Sequence, residues 1–380
     1  MEARANPRLR ILALVPDAFG DPSGTLGGIA LYNRDVLTAA CEHPSVERVV
    51  ALPRLMPDRP EPLPGKLEYV TRGLGGRARY VLAVLREAVR GRFDLILCGH
   101  LNLLPAAFLA RALAPAPVVT FVYGIEAWQP TRSRLANALV RRVHAFVSIR
   151  ELTMERLRAW AGRLPARDFL LETAIHLERY GGGHKDPALV DRYGLRGRRV
   201  LLTVARLDER YKGIDETLEV LPDLARELPD LVYLVVGGGP DRPRLEEKAR
   251  ALGVHDRVVF AGAVDDRDKA VHYRLADAYV MPGTGHDFDR YPLRYAFLEA
   301  LACGIPIVAP RPLGAGEDEG RAARLYVLVD PFDRASIIAG VKTALARPRG
   351  VPEGLQAFSY ESFRGRFHAI LDALCTRAGA

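Results

Sequence analysis

Residues 297–309 read FLEALACGIPIVA and combine an apolar helix, a Gly-Pro turn and a strand. Gly304 can adopt the left-handed conformation that closes a helix, and Pro306 prevents the helix from continuing. Glu299 lies about one turn before this exit, on an otherwise small and apolar face. A buried carboxylate is costly without a hydrogen-bond partner. The two hydroxyls of a ribose would serve, so this stretch is a candidate nucleotide site.

Short β-rich runs alternate with longer helical stretches along the whole chain. The runs are residues 11–15, 49–52, 95–98, 118–123, 145–149, 200–204, 231–236, 258–261, 278–281 and 306–309. Near-continuous apolar strands separated by helices are typical of parallel sheets covered on both faces. Two such sets predict an α/β chain with two doubly wound, Rossmann-like domains. Ligands bind beyond the carboxyl ends of parallel strands, so we expect the site in a cleft between the domains.

The domain limits follow from the most flexible stretch between strands, GGGHKDP at residues 181–187. We predict a first domain over 1–180, a linker over 181–195, a second domain over 196–359 and a final helix over 360–380. That helix carries Phe363, Phe367, Ile370 and Leu371 on one side. This apolar side suits packing on the second domain, or a return of the helix to the first domain.

Composition indicates a soluble globular protein, with 380 residues, 26% charged and 49% hydrophobic. No run of about 18 apolar residues is present, and the first ten residues lack an apolar segment of signal-peptide length. The four cysteines are scattered, which argues against a disulfide framework or a zinc site. We therefore expect a cytoplasmic protein.

The net charge is +8, and all of the excess positive charge lies in residues 1–180. It includes two arginine clusters: Arg72, Arg77, Arg79, Arg86, Arg90 and Arg92; and Arg132, Arg134, Arg141 and Arg142. One interpretation is a set of solvated helix faces. The alternative is attraction to an anionic membrane surface or an anionic acceptor. No interleaved aromatic residues accompany the arginines, so we expect no nucleic-acid partner.

Two basic residues follow the strand at 200–204. Arg206 lies at its carboxyl end, and Lys212 precedes the next helix. Both can converge on an anion at that helix N-terminus, where the helix dipole adds partial positive charge. A solvated loop with incidental charges is the alternative. The next two strands end in Gly237-Gly238-Gly239 and near Val264, where backbone groups could approach a ligand and contact a base.

Taken in order, these elements resemble the donor domain of retaining GT-B glycosyltransferases of family 4 (glycosyl transferases group 1). The matching stretches are Arg206 with Lys212-Gly213, VGGGP at 236–240, VVFAG at 258–262 and LEALACGIP at 298–306. In the first half, Gly27-Gly28, GHLN at 99–102 and GIEAW at 124–128 also resemble that family. LETAIHLERY at 171–180 resembles its interdomain crossover, with His176 where Asp is more usual.

The resemblance implies a donor site for a nucleoside-diphosphate sugar, with no metal ion and no cofactor. Arg206 and Lys212 would neutralise the departing diphosphate, and Glu299 would bind the ribose hydroxyls. Breaking the glycosidic bond gives the sugar oxocarbenium character, so stabilising the leaving group is the main task. The remaining donor contacts would come from Gly27 and Gly28 in the first domain and from Gly238, Val264, Arg294 and Tyr295 in the second.

Two departures from the family pattern concern catalysis. The family usually carries a second acid eight residues before the ribose acid, and here that position is Tyr291. We predict that Asp289 contacts the donor sugar instead, across a loop lengthened by two residues; a solvated loop acid is the alternative.

Tyr123 replaces a histidine, and a tyrosine is a poor base near neutral pH. Its role would fall to His100 or Glu126. A structural histidine and a buried acid paired with an arginine are the alternatives for these two residues.

The sequence thus predicts a retaining, metal-independent glycosyltransferase that moves a sugar from a nucleoside diphosphate to an acceptor hydroxyl. The acceptor would be a glycan, a lipid-linked sugar or a small molecule. The basic first domain predicts peripheral contact with an anionic membrane, at its inner face. A GT-B sugar epimerase and a catalytically idle GT-B binding or regulatory subunit are the alternative functions.

Overall fold

The computed structural model describes residues 8–20, 27–56, 62–164, 167–208, 212–283, 295–311 and 324–375. Within these ranges the chain forms two compact units. Residues up to Ala174, together with Tyr360–Cys375, form the first unit, and Ile175–Ser359 form the second. Each unit is an α/β unit built on its own parallel sheet.

The first sheet contains seven strands and the second contains six. The first seven are β1 (Leu9–Val15), β2 (Val46–Pro53), β3 (Leu67–Tyr69), β4 (Leu95–Cys98), β5 (Val118–Val122), β6 (Ala145–Ser148) and β7 (Arg167–Leu170). The second six are β8 (Arg199–Val204), β9 (Leu231–Val236), β10 (Val258–Gly262), β11 (Ala278–Val280), β12 (Ile307–Pro310) and β13 (Val327–Val329). Ten of these strands overlap the runs predicted from the sequence; β3, β7 and β13 were not predicted.

Helices follow most of the strands. They are α1 (Gly28–Glu42), α2 (Arg77–Arg90), α3 (Leu104–Leu113), α4 (Ile125–Trp128), α5 (Arg134–Val140), α6 (Glu151–Ala161), α7 (Pro187–Arg192), α8 (Ile214–Glu227), α9 (Arg242–Ala251), α10 (Lys269–Arg274), α11 (Tyr295–Ala302), α12 (Arg334–Ala346) and α13 (Tyr360–Cys375). Among the described residues, none of these helices has the length and hydropathy needed to cross a bilayer.

Strand order locates the ligand-binding edge of each sheet. The first sheet runs β3-β2-β1-β4-β5-β6-β7 and the second β10-β9-β8-β11-β12-β13, with every pair parallel. The order reverses between β1 and β4 in the first unit and between β8 and β11 in the second. Ligands of open parallel sheets bind at such switch points, beyond the carboxyl ends of the strands. The predicted doubly wound fold is confirmed for both units.

The two units divide after Ala174, whereas the sequence predicted a linker over 181–195 that begins with the glycine-rich stretch. Residues of that stretch are held by the second unit. Arg274 donates a hydrogen bond to the Gly181 carbonyl (2.9 Å), and Lys185 pairs with Asp277 (2.7 Å). Helix α7 then begins after Asp186, whose side chain caps it. These contacts give the segment a fixed conformation, although its glycines favour flexibility.

Helix α13 belongs to the core of the first unit. Phe363, Phe367, Ile370 and Leu371 are buried in one cluster with residues of β1 and α1. Spacing of three and four residues places these side chains on one helix face. The sequence left two arrangements open for this helix, and the structure shows it packed on the first unit.

A pair of histidines lies where α13 meets α1. His43 is buried just after α1, and its Nε2 lies 3.3 Å from the Asp372 carboxylate of α13. Its Nδ1 accepts a hydrogen bond from the Ser45 amide (3.2 Å). The His368 ring packs edge-on against His43 at 4.6 Å. Burial, followed by the charge of His368, lowers the pKa of His43 although Asp372 opposes the shift.

We expect acid to lower the stability that the buried His43 contributes to the first unit. Because the pKa of His43 is lower in the folded chain than in the unfolded one, the unfolded chain binds the extra proton below about pH 6.5. Stability from His43 is therefore present above this pH and is lost as the pH falls. Calorimetry should show that the melting temperature falls more steeply towards about pH 5 in wild type than in His43→Asn. Equal slopes would contradict the assignment.

Candidate functional site

Two loops are in close contact at the switch point of the second unit. Gly213 precedes α8 with a φ of 80°, and a Cβ there would lie 2.3 Å from the Gly283 amide nitrogen after β11. Only glycine allows this approach of two backbones. Lys212, the neighbour of Gly213, is half-buried beside this contact. The structure therefore places Lys212 at the start of α8, against the loop that follows β11.

Arg206 lies on the loop that follows β8. Its side chain is 56% exposed and lies 3.4 Å from the Asp208 carboxylate. The loop itself is held by backbone hydrogen bonds, because Leu207 donates to the Gly238 carbonyl (2.9 Å) and accepts from the Asp241 amide (2.9 Å). Arg206 is thus an exposed guanidinium on a fixed backbone, which suits a cation that grips an anion from solvent.

The glycine turn after β9 packs tightly against the Arg206 loop. A Cβ on Gly237, whose φ is 142°, would lie 1.8 Å from the Ala205 carbonyl oxygen. The Gly237 amide also donates to the Gly262 carbonyl at the end of β10 (2.8 Å). Gly238 itself has room for a Cβ. The turn therefore joins the loops after β8, β9 and β10 at one edge, the edge at which Val264 is half-buried.

Charges in the first turn of α8 are compensated. Burial would raise the pKa of Asp215, but hydrogen bonds from Arg244 and Lys248 outweigh it and lower the pKa to about 2. Burial raises the pKa of Glu216. One acid is thus paired with cations, and burial disfavours the charged form of the other.

Glu299 is 6% exposed on α11, and both of its oxygens accept a tyrosine hydroxyl. Tyr180 donates to Oε1 (2.8 Å) and Tyr273 of α10 donates to Oε2 (2.6 Å). Lys269 Nζ lies 4.0 Å from Oε1. Burial, with the negative charge of Glu299, raises the pKa of both tyrosines, so both hydroxyls stay protonated donors. The predicted need for a partner is met within the chain, by residues that the sequence analysis missed.

At the switch point of the first unit, His100 follows β4. Its Nδ1 accepts a hydrogen bond from the Asn102 amide (3.0 Å), and burial lowers its pKa. The ring is therefore neutral near pH 7, and its Nε2 carries the proton. Tyr123 is buried, with its hydroxyl 2.8 Å from both the Gly99 carbonyl and the Asn33 side-chain oxygen. Tyr123 thus fixes the backbone that presents His100.

Glu126 bonds to the start of its own short helix. Its Oε1 accepts from the amides of Tyr123 (2.6 Å) and Gly124 (3.1 Å). Gly27 is the cap residue of α1, which has no acidic residue in its first turn. Among the described residues, which leave out 21–26 directly before this helix, a Cβ on Gly27 would meet nothing within 4 Å, and Gly28 is exposed. The backbone amides at the start of α1 are of the kind that can bind an anion.

Some predicted residues lie outside the described parts of the chain, namely Asp289 and Arg294, together with Tyr291. Tyr295, the first residue of α11, is described and half-buried. Among the described residues, no group of three or more His, Cys, Asp or Glu side chains is placed to hold a metal ion. Metal independence and the role of Asp289 stay predictions.

Part of the second unit matches a known protein family. Residues 198–347 match the family described as glycosyl transferases group 1. A GDP-mannose-dependent alpha-(1-6)-phosphatidylinositol monomannoside mannosyltransferase of Mycolicibacterium smegmatis is 38% identical over 165 residues, which are 42% of each chain. The protein of the same name from Mycobacterium tuberculosis is 37% identical over 231 residues, 56% of this chain and 57% of the relative. The chain spans about half the length of these curated relatives.

The solved structure of Anabaena HepE in complex with UDP has a TM-score of 0.71, covering 96% of this chain and all of that one. Its sequence identity is 18%, so this similarity shows the fold alone. The chain therefore has the GT-B fold, and its residues 198–347 are similar to glycosyl transferases group 1.

Proposed function

We propose that the protein is a mannosyltransferase that moves mannose from GDP-mannose to a hydroxyl of a phosphatidylinositol-type lipid, with retention of configuration and without a metal ion. One observation carries the proposal: two cations, Arg206 and Lys212, follow the same strand at the switch point of a group 1 domain. The donor and acceptor classes are those named for the mycobacterial relatives.

Arg206 and Lys212 supply the charge that the departing diphosphate requires. The bond between the anomeric carbon and the phosphate oxygen breaks, and negative charge develops on that oxygen. Lys212 contributes a point charge, and Arg206 contributes a guanidinium that can donate two hydrogen bonds at once. The α8 N-terminus contributes its dipole. Positive charge that is already in place stabilises the transition state most when it lies beside the oxygen on which negative charge develops. No metal ion is then required for this step.

On the acceptor side, the hydroxyl oxygen bonds to the anomeric carbon from the face that the phosphate leaves, and its proton passes to the leaving phosphate. We assign the neutral His100, with its Nε2 proton, to orienting a substrate oxygen. Glu126 holds the backbone at Tyr123 and Gly124 instead of acting as a base. Gly27 and Gly28 carry no side chains, so they would allow a phosphate to approach the amides at the start of α1.

Donor-dependent release of nucleotide distinguishes this function from its alternatives. The purified protein should release GDP from GDP-mannose in EDTA when phosphatidylinositol vesicles are present, and a mannosylated lipid should appear in equal amount. Release of GDP with a free rearranged sugar and no glycoside would indicate an epimerase. Binding of GDP-mannose without release, in every acceptor tried, would indicate an idle subunit.

A lipid acceptor requires contact with a membrane, and we propose that α2 of the first unit provides it. Arg79, Leu82, Arg86 and Val89 are exposed along one face of this helix, with Leu82 68% and Val89 70% exposed. Arg72 of the same cluster is paired with the buried Glu87. Exposed apolar side chains between arginines suit the interface of an anionic bilayer.

Replacing Leu82 and Val89 together by glutamate should weaken binding to phosphatidylinositol-containing vesicles by about tenfold or more, because apolar insertion is lost and charge repulsion is added. Vesicle flotation measures the effect, and salt should weaken wild-type binding. Phe332→Glu, which changes an equally exposed side chain of the second unit, is the matched control. Equal binding of wild type and double variant would refute the α2 contact.

A further inference from the structure

We propose that Tyr180 and Tyr273 are positioning residues that fix the Glu299 carboxylate for the ribose of the nucleotide. The inference rests on the proposed donor site. Nothing in the short-range sequence pattern connects these residues, because Tyr180 is 119 positions from Glu299. The fold brings them together around a carboxylate that is almost wholly buried.

The hydrogen bonds occupy one acceptor position on each oxygen. Tyr180 bonds to Oε1 at 2.8 Å and Tyr273 to Oε2 at 2.6 Å, and their rings pack edge to face at 6.2 Å. A carboxylate accepts about four hydrogen bonds in total. Within the part of the chain that the structure describes, about two acceptor positions therefore stay available, one for each of two neighbouring hydroxyls. The 2′- and 3′-hydroxyls of a ribose are such a pair.

Tyr180 is itself held on both sides. Arg179 lies 3.6 Å from the Asp266 carboxylate, and the Gly181 carbonyl accepts from Arg274 Nε (2.9 Å). Tyr273 is fully buried in α10. These contacts hold the two tyrosine hydroxyls in place, and the hydroxyls in turn favour one rotamer of Glu299. Binding of the nucleotide then costs less conformational entropy at this side chain.

Lys269 completes the arrangement. Its Nζ bonds to Asp266 at 2.6 Å and lies 4.0 Å from Glu299 Oε1, with the side chain 13% exposed. A positive charge therefore lies beside the buried carboxylate. The tyrosines set the direction of the carboxylate, while Lys269 compensates its charge. Loss of one tyrosine hydroxyl should accordingly misdirect Glu299 without removing its charge.

The test compares GDP with 2′,3′-dideoxy-GDP, which lacks both hydroxyls, by isothermal titration calorimetry. Wild type should bind GDP about tenfold or more tightly than the dideoxy compound, because hydrogen bonds to a charged group are strong. Tyr180→Phe and Tyr273→Phe should each reduce this preference to about threefold or less. Their affinity for dideoxy-GDP should stay unchanged, which also shows that the variants are folded.

Tyr193→Phe is the matched control, since it removes a hydroxyl that contacts His272 of the same helix, 3.1 Å away; its preference should equal that of wild type. Glu299→Gln should lose the preference. An unchanged preference in both tyrosine variants, or equal weakening of both ligands, would overturn the inference. A wild type that binds both ligands equally would overturn it too. A wild type that binds neither would instead contradict the proposed donor.

Discussion

Replacing Lys212 with alanine is expected to lower kcat/KM for GDP-mannose by about a hundredfold or more. Lys212 directly precedes Gly213 at the start of α8, where the Gly213 backbone packs closely on Gly283 after β11. In the proposed donor site the Lys212 ammonium would meet the negative charge that develops on the leaving diphosphate. Because that charge is larger in the transition state than in the bound donor, kcat should fall more than the affinity for GDP-mannose.

Steady-state kinetics and calorimetric titration with GDP-mannose separate these two effects. Lys342→Ala is the matched control, because Lys342 is a lysine of α12 in the same unit that pairs with Glu227. Its activity should equal that of wild type. If Lys212→Ala retains activity within about threefold of wild type, Lys212 does not supply charge to the leaving group.

Replacing Gly237 with alanine is expected to destabilise the second unit by about 3 kcal/mol or more, from steric overlap and backbone strain together. A Cβ at this position would lie 1.8 Å from the Ala205 carbonyl oxygen and 2.8 Å from its carbon. Both atoms belong to backbone that no side-chain rotation can clear. The ends of β8 and β9 would have to separate, with the loss of nearby hydrogen bonds.

Differential scanning calorimetry should record a melting temperature lower by roughly 6–12 °C for the unit that contains Gly237. Gly253→Ala is the control: Gly253 also has a positive φ, 70°, but a Cβ there meets nothing within 4 Å. That variant isolates the cost of placing alanine in the left-handed backbone conformation, which is about 1–2 kcal/mol. A Gly237→Ala protein as stable as Gly253→Ala would show that the glycine turn is not needed for this packing.

The central strands could be predicted because they are buried on both faces and their sequences are apolar throughout. Leu95–Cys98 and Leu231–Val236 have the predicted limits, and all four residues of the first are buried. Residues that follow these strands could be placed at the sheet edge for the same reason. Arg206 and Lys212 were predicted in this way, from the end of a strand, whereas His100 was predicted from the family resemblance.

Three of the four edge strands, β3, β7 and β13, could not be predicted from the same signal. β3 and β13 have three residues each, and β7 reads RDFL with alternate residues exposed. An edge strand packs on one side only, so a short or half-polar sequence suffices. Their pairing depends on the neighbouring strand, which a local pattern does not contain.

The two tyrosines that contact Glu299 could not be predicted either, for a different reason. The sequence showed that this acid needs a partner, and the ribose was the partner that chemistry suggested. The fold supplies two tyrosine hydroxyls from segments far apart in the chain. Tertiary contacts of this kind carry no spacing signal. The glycines of the β9 turn were likewise predicted to approach a ligand, whereas Gly237 approaches the Ala205 carbonyl.

Transfer of labelled mannose from GDP-mannose into lipid is the measurement that tests the central claim most directly. Wild-type protein in EDTA, with vesicles that contain phosphatidylinositol and phosphatidylinositol monomannoside, should yield a mannosylated lipid whose new anomeric configuration, read by NMR, is that of the donor. Lys212→Ala should yield about a hundredth as much or less. A folded wild type that leaves GDP-mannose intact, or a product of inverted configuration, would contradict the account.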